Sequence, residues 1–134
     1  MKMDYDIPHD LLYARTHEWL RRSEDDPNQA TVGITDFAQD EVGDVVYVDL
    51  PPEGTAVSAG DPCAEIESTK TVAELYAPVN GVVVAANHDL DGRPELVNTS
   101  PYDQGWMVRL RISDEADLEA MLKPAAYRTL IENG

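Results

Sequence analysis

The sequence predicts a mainly β fold, a flattened β-sandwich of short strands with one short helix after residue 35 and two C-terminal helices. Short runs rich in β-branched residues recur along the chain, and proline or glycine separates most of them. Helical spacing of apolar residues is confined to a stretch after residue 35 and to the tail. A chain of 134 residues holds one sizeable core, so we expect a single domain over residues 1–134, with its core at about 12–112 and a helical tail at 113–132.

The first long strands are predicted to form a hairpin. His17–Arg22 alternates in the manner of a strand, and Ala30–Ile34 follows a turn at Asp25–Asn28. Thr35 can then cap a short helix, which Gly43 stops.

Further strands follow the predicted helix. They are Asp44–Leu50, Cys63–Glu67, Thr71–Tyr76, Gly81–Ala86 and Trp106–Ile112. A proline and glycine turn joins the first two, and another joins the third to the fourth. Two such paired halves would face each other as a flattened sandwich, with Lys70 at one end.

The last third of the chain combines a long loop with the helical tail. Residues 87–105 are rich in turn formers and show little periodicity, so we predict a loop there, of a length that tends to be functional. Ser113 can cap the first tail helix, and Pro124 opens the second. Apolar residues at helical spacing predict that both helices lie on the sheet. They are Leu118, Met121, Leu122, Tyr127, Leu130 and Ile131.

The chain is strongly acidic, with 10 Lys and Arg against 26 Asp and Glu and a net charge of -16. Such a surface repels polyanions, which argues against nucleic acid and anionic membranes as partners. Charge alone leaves open whether the acidity serves salt tolerance or attracts basic proteins. Because the sequence holds one cysteine and no signal-like N-terminal segment, we expect a cytoplasmic protein, or a mitochondrial-matrix protein in processed form.

Lys70 is isolated in the middle of a predicted hairpin. The chain has two other lysines, Lys2 and Lys123, and Lys70 stands between two strand-like runs of similar length with Glu67 three residues before it. A hairpin tip exposes an amine to a modifying enzyme. On spacing alone, however, a solubilising surface charge is the simpler interpretation.

The other reactive groups predict no catalytic or metal-binding residue. Asn87, Asp89 and Asp91 resemble the start of a calcium loop, but Asn98 stands where the bidentate glutamate would be. Cys63 lies in a strand alternation as a small core residue does, so we do not expect a nucleophile there.

A series of short motifs runs collinearly through about residues 12–131. They are Tyr13, Thr16-His-Glu-Trp19, Val32-Gly-Ile-Thr-Asp-Phe-Ala-Gln-Asp40, Gly43-Asp-Val-Val-Tyr-Val-Asp-Leu-Pro51, Glu67-Ser-Thr-Lys70, Ala77-Pro-Val-Asn-Gly81 and Pro94-Glu-Leu-Val-Asn-Thr-Ser-Pro-Tyr-Asp-Gln-Gly-Trp106. In this order and at these spacings they resemble the H-protein family of the glycine cleavage system, whose members carry a lipoyl group.

The resemblance implies a barrel-sandwich hybrid fold of the kind found in lipoyl and biotinyl carriers. Lys70 matches the family's lipoyl-lysine, which is joined to lipoic acid through an amide at its ε-nitrogen. Glu67 and Gly54 match positions that the lipoylating enzyme recognises.

The resemblance also implies a cleft for the aminomethyl-lipoyl arm, formed by Thr16, Glu18 and Glu74. Two positions depart from the usual pattern, because Glu74 stands where aspartate is common and Glu41 where some members have histidine. Taken as strand residues alone, Glu18 and Glu74 could equally be solvated side chains.

The implied function is that of a carrier without catalysis of its own. A pyridoxal-phosphate glycine decarboxylase (P-protein) would load the aminomethyl group, a folate-dependent aminomethyltransferase (T-protein) would unload it, and dihydrolipoamide dehydrogenase (L-protein) would reoxidise the dithiol. A lipoyl ligase or transferase would attach the cofactor.

Alternative functions remain open at this point. The lipoyl group could instead be donated to other proteins, or the chain could be an unmodified β-sandwich interaction module. Biotin carriage is disfavoured because Thr69 and Thr71 replace the methionines that usually flank a biotinyl-lysine. A lipoyl domain of a 2-oxoacid dehydrogenase is disfavoured because such domains are smaller and lack the helical tail.

Overall fold

The computed structural model describes residues 4–133 as two antiparallel sheets that pack face to face, with short helices at their edges. The strands are β1 (Leu12–Tyr13), β2 (Glu18–Arg22), β3 (Gln29–Ile34), β4 (Val45–Asp49), β5 (Ala56–Val57), β6 (Pro62–Ser68), β7 (Val72–Tyr76), β8 (Gly81–Ala86) and β9 (Val108–Ile112). The helices are α1 (Asp36–Val42), α2 (Asp89–Gly92), α3 (Leu96–Thr99), α4 (Ala116–Glu119) and α5 (Pro124–Asn133). The mainly β prediction is confirmed.

The larger sheet has the strand order β1-β2-β3-β9-β8-β5, and the smaller sheet has the order β4-β6-β7. The main core lies between them and takes Leu20 and Leu110 from the larger sheet and Ile66 and Leu75 from the smaller one. A second cluster, separate from the main core, consists of Ile7, Leu11, Tyr13, Trp19 and Tyr127. The larger sheet is therefore buried on both faces along β2.

The predicted hairpin of β2 and β3 forms in antiparallel register, with Trp19 opposite Gly33. A β-carbon on residue 33 would stand 2.8 Å from the indole ring of Trp19, so glycine is needed for the ring to lie on the neighbouring strand. The indole N–H donates to the Pro101 carbonyl over 2.9 Å. Trp19 is fully buried, as expected of a core anchor.

Helix α1 begins and ends as the sequence predicts. The Thr35 hydroxyl oxygen accepts the Ala38 N–H at 3.1 Å, which satisfies a donor of the first turn. Gly43 ends the helix with φ of 88°, a conformation that other residues rarely adopt, and its N–H donates to the Gln39 carbonyl.

The predicted pairing of strand Thr71–Tyr76 with strand Gly81–Ala86 is wrong. β7 pairs with β6, whereas β8 pairs with β9 and β5 in the other sheet. Between them, Ala77 and Val79 are buried as the chain crosses from one sheet to the other. A side chain at Gly81 would collide with the Arg111 carbonyl, so this glycine lets β8 lie against β9.

The predicted loop at residues 87–105 is a packed segment that contains α2 and α3. Leu90, Leu96 and Val97 enter the main core. The Asn87 side-chain amide donates to the carbonyls of Gln104 and Trp106, which ties the two ends of the segment together. Sequence periodicity misses these helices because each has a single turn.

The tail forms two helices, but Ser113 does not cap the first. α4 begins at Ala116, whose N–H is accepted by the Asp114 side chain. α5 begins at Pro124 as predicted and places Tyr127 in the second cluster. Strand β9 begins at Val108, two residues after the predicted start at Trp106.

Within residues 4–133, no helix combines the length and apolar character required to cross a bilayer.

Candidate functional site

Lys70 lies in the tight turn between β6 and β7, which the buried hydroxyl of Ser68 holds together. The Ser68 oxygen accepts the N–H groups of Lys70 and Thr71 at 3.2 and 3.0 Å. The Thr69 N–H donates to the Asp44 carbonyl at 3.0 Å, which ties the turn to the residue before β4. Serine suits this position because its short side chain can accept hydrogen bonds from N–H groups of the turn, which the strands leave unpaired. The exposed Lys70 is thus presented from a fixed backbone.

The stem of Lys70 lies against Gly43 at the end of α1. A β-carbon on residue 43 would come within 2.9 Å of the lysine Cε. The preceding residues, Glu41 and Val42, line a cleft between α1 and β7. The lysine stem therefore lies beside the residue that follows this stretch of the cleft wall.

The cleft has a volume of about 280 Å³ and is walled mainly by apolar side chains. They are Ile34, Phe37, Ala38, Val42, Ile66 and Ala73. Thr16, Glu18 and Glu74 also line it, so the structure brings together the three residues that the resemblance assigned to one cleft.

Glu18 is the acid buried in this cleft, with a relative exposure of 1%. One carboxylate oxygen accepts the Tyr76 N–H at 3.1 Å and the other accepts the Thr16 hydroxyl. Burial raises the pKa of Glu18 from 4.5 to about 7, although both hydrogen bonds oppose the rise. The interpretation of Glu18 as a solvated strand residue is wrong, because its strand places it between the sheets on the same face as Leu20. Glu74 and Thr16, by contrast, are exposed at the cleft.

His17 and Phe37 line the same cleft and were given no role by the sequence. His17, directly before β2, has a left-handed backbone with φ of 76°. Its Nδ1 lies 2.9 Å from the Tyr127 hydroxyl, and its ring centroid lies 4.8 Å from that of Phe37. Burial lowers the pKa of the His17 imidazole. Both residues lie in the quoted motifs, but only the fold places their side chains at the cleft.

The two predicted recognition residues occupy different places. Glu67 is exposed on β6, immediately before the turn that carries Lys70. Gly54 lies before β5, with φ of 90°, and its N–H donates to the Val83 carbonyl of β8. Gly54 therefore belongs to the edge of the larger sheet, whereas Glu67 belongs to the hairpin.

Cys63 is partly buried against the main core. Burial raises the pKa of its thiol to about 12, so it stays protonated at neutral pH. This agrees with the prediction of a core residue rather than a nucleophile.

Comparison with known proteins gives one consistent result. The model of the glycine cleavage H-protein family matches residues 11–134. A glycine cleavage system H protein from Enterobacter sp. (strain 638) is 51% identical over 127 residues, covering 95% of this chain and 97% of the relative. One from Mycobacterium avium (strain 104) is 54% identical over 132 residues, covering 95% and 98%. The crystal structure of a glycine cleavage system H protein from Mycobacterium marinum superposes with a TM-score of 0.84 at 35% identity, covering 94% of this chain and 99% of that one.

Proposed function

The chain belongs to the glycine cleavage H-protein family, the lipoyl carriers of the glycine cleavage system, and from this premise we propose that Lys70 is its site of covalent lipoyl attachment. The observation that carries the proposal is the position of Lys70, whose exposed side chain leaves a fixed turn and lies against Gly43, next to the wall of an apolar cleft that contains a buried acid. Lys123, by contrast, lies in the tail, directly before α5.

The residues of the cleft fit a lipoyl-lysine arm. Apolar walls suit an alkyl chain, and the Glu18 carboxylate suits a cationic group at its far end. When bound, the lipoyl group supplies a disulfide that takes up the aminomethyl group of glycine on one sulfur.

The chain's own residues then hold a cation away from water. The carboxylate of Glu18 accepts a hydrogen bond from the cation, and Thr16 and Glu74 offer a hydroxyl and a second carboxylate at the mouth of the cleft. Charge-assisted hydrogen bonds of this kind contribute roughly 1.5–3 kcal/mol each where solvent is excluded. Ionisation of Glu18 is favoured when a cation enters, because an opposite charge lowers the pKa of a carboxyl group.

The same proposal implies which enzymes the chain interacts with. It would pass between glycine decarboxylase, aminomethyltransferase and dihydrolipoamide dehydrogenase in the cytoplasm, after a lipoyl ligase or transferase has modified Lys70. Tethering raises the effective concentration of the reactive group at each enzyme. The chain contributes no catalytic residue in this scheme.

Replacement of the lysine tests the proposal. We expect Lys70→Arg to fold normally, to carry no lipoyl group when produced in lipoylation-competent cells, and to be inert in glycine cleavage. Lys123→Arg is the matched control and should be lipoylated and active. Intact-mass measurement and peptide mapping check the modification. Lipoyl-dependent activity in Lys70→Arg would overturn the proposal, and a biotinylated or unmodified Lys70 peptide from the wild-type protein would favour another carrier or the unmodified module.

A further inference from the structure

The exposed apolar residues of this protein are concentrated beside Lys70. Across residues 4–133, the large hydrophobic side chains that are more than half exposed are Val46, Tyr47 and Val72, at 51%, 53% and 57%. All three belong to the smaller sheet, on the face turned away from the main core. Exposed apolar side chains gathered at one place mark interaction sites more often than scattered ones do.

Strand register places these residues directly below the turn that carries Lys70. Tyr47 pairs with Glu67, and Glu67 pairs with Val72, which forms a row across all three strands one residue before the Ser68–Thr71 turn. The register of β4 shifts between Val45 and Tyr47, as at a β-bulge, and Val46 and Tyr47 are consecutive exposed residues there. We call Val46, Tyr47, Glu67 and Val72 the hairpin-side face.

A row of carboxylates borders the hairpin-side face. Asp49 pairs with Glu65, and Glu65 pairs with Glu74, so three exposed acids stand side by side across the sheet. Like charges directly opposite each other destabilise a sheet. The ion pairs found between described residues involve other acids, Glu115 and Asp91. The carboxylates of this row are therefore available to cations from outside the chain.

We propose that the hairpin-side face and its acidic row dock the enzyme that attaches the lipoyl group to Lys70, through a surface with an apolar centre and a Lys or Arg rim. This inference rests on the proposed function. The apolar side chains of Val46, Tyr47 and Val72 lie on both sides of Glu67 and supply the desolvated part of such an interface. The acids supply charge complementarity, which guides association and orientation.

The position of the Lys70 amine indicates why this enzyme, and not the other partners, would bind the hairpin-side face. The amine to be acylated is four methylene groups from the hairpin backbone, so the acylating enzyme must hold the base of the hairpin. Enzymes that act on the sulfur end of an attached lipoyl group, by contrast, react at an atom that is separated from the hairpin by the whole length of the lipoyl-lysine side chain. In the acylation step, the unprotonated Lys70 nitrogen forms an amide bond to the carbonyl carbon of an activated lipoyl donor. The bond to the donor's leaving group breaks with its electron pair, and the nitrogen releases one proton to solvent.

The test uses full-length protein, a purified lipoyl ligase and lipoyl-adenylate as donor. We expect the triple variant Val46→Thr, Tyr47→Thr, Val72→Thr to raise the KM for lipoylation about tenfold with little change in kcat, since loss of central contacts weakens docking. Binding of the ligase, measured by calorimetry on a Lys70→Arg background that cannot react, should weaken by the same factor. Threonine keeps the strand propensity, and circular dichroism checks the fold.

The acidic row is tested with charge-matched pairs. Asp49→Asn with Glu65→Gln should raise KM several-fold in low salt and lose this effect in high salt, because salt screens exposed charges. Asp89→Asn with Glu95→Gln removes two charges from the α2–α3 segment and should leave KM unchanged. An unchanged KM and affinity in the folded triple variant would overturn the proposal, as would weakened binding confined to one of the glycine cleavage enzymes. Failure of the proposed function gives a different result, a wild-type protein with no lipoyl group on Lys70.

Discussion

The side chain of Lys70 lies across Gly43, so closely that a β-carbon on residue 43 would stand 2.9 Å from the lysine Cε and 3.5 Å from its Cδ. Gly43 also ends α1 with φ of 88°. Glycine is therefore needed there for the backbone, and its lack of a side chain leaves room for the lysine stem. Because Glu41 and Val42, directly before Gly43, line the cleft, the contact places the lysine stem next to the end of a cleft wall.

Gly43→Ala separates these two requirements when it is compared with Gly60→Ala. Gly60 has φ of 90°, but a β-carbon there meets nothing within 4 Å. Both variants should lose about 1–3 kcal/mol of stability, because alanine is strained at positive φ, and the combination of φ 88° and ψ -164° at Gly43 is essentially confined to glycine. Only Gly43→Ala should also displace the Lys70 stem.

Two measurements distinguish the outcomes. Urea unfolding gives the stability loss of each variant, and nuclear Overhauser contacts report whether the Lys70 ε-methylene still lies beside residue 43. We expect that contact to persist in Gly60→Ala and to disappear in Gly43→Ala. An unmoved lysine in Gly43→Ala would show that the backbone conformation alone requires this glycine.

Glu18 should make the stability of the protein depend on pH around neutrality. Its pKa is raised to about 7 in the folded state against an ordinary value of 4.5, so the folded protein binds this proton more tightly than the unfolded chain. The stabilisation is complete below pH 4.5 and is lost as pH rises through 7. A shift of this size corresponds to about 3 kcal/mol.

Glu18→Gln should remove this dependence. The amide side chain of the variant can accept the Tyr76 N–H and donate to the Thr16 hydroxyl, so both hydrogen bonds have a replacement. Urea unfolding at pH 5 and pH 8.5 measures the difference in unfolding free energy. Glu65→Gln, which replaces an exposed glutamate of the smaller sheet, should keep the wild-type pH difference. Parallel pH profiles for wild type and Glu18→Gln would contradict the raised pKa.

Local signals predicted α1 and the hairpin turn well. Thr35, Gly43 and the polar residues around Lys70 act through hydrogen bonds and backbone angles within a few residues of themselves, which a sequence displays. The burial of Glu18 depends instead on how the two sheets pack together. The alternation of apolar and polar residues along a strand cannot show that both faces of the strand are covered.

The sheet assignment failed for a related reason. β7 and β8 are neighbours in sequence and were expected to pair, but the buried crossing at Ala77 and Val79 sends them to different sheets. The helices α2 and α3 were missed because their apolar residues are too few to establish a period, although Asn87 and Asn98 fix the segment through side-chain bonds. Asn98 donates to the Gly43 carbonyl and accepts the Val45 N–H, so this segment also supports the end of α1.

The C-terminal helix is linked to the cleft through one buried hydroxyl. The Tyr127 oxygen lies 2.7 Å from the Thr35 hydroxyl and 2.9 Å from His17 Nδ1. Thr35 caps α1, and His17 lines the cleft. The ring of Tyr127 stacks on that of Tyr13, with centroids 4.6 Å apart and planes inclined by 8°. α5 therefore supports the N-terminal end of a cleft wall through hydrogen bonds as well as packing.

Tyr127→Phe should break this support while keeping the stacked ring. It leaves a buried threonine hydroxyl and the half-buried imidazole with one hydrogen-bond partner fewer, at a cost of about 1–3 kcal/mol. Tyr13→Phe is the matched control, because the Tyr13 hydroxyl donates to the partly exposed Pro8 carbonyl, where water can replace it. Its stability loss should be smaller.

Hydrogen exchange and imidazole titration decide whether the Tyr127 hydroxyl supports the cleft or only the tail. In Tyr127→Phe, the Ala38 amide should exchange faster, because the capping hydroxyl of Thr35 is no longer held, and the titration of His17 should change because its Nδ1 loses a partner. Neither signal should change in Tyr13→Phe. A stability loss in Tyr127→Phe without these two changes would confine the role of the hydroxyl to anchoring α5. With both changes, the C-terminal helix would be shown to help hold the cleft wall that the Lys70 arm is proposed to meet.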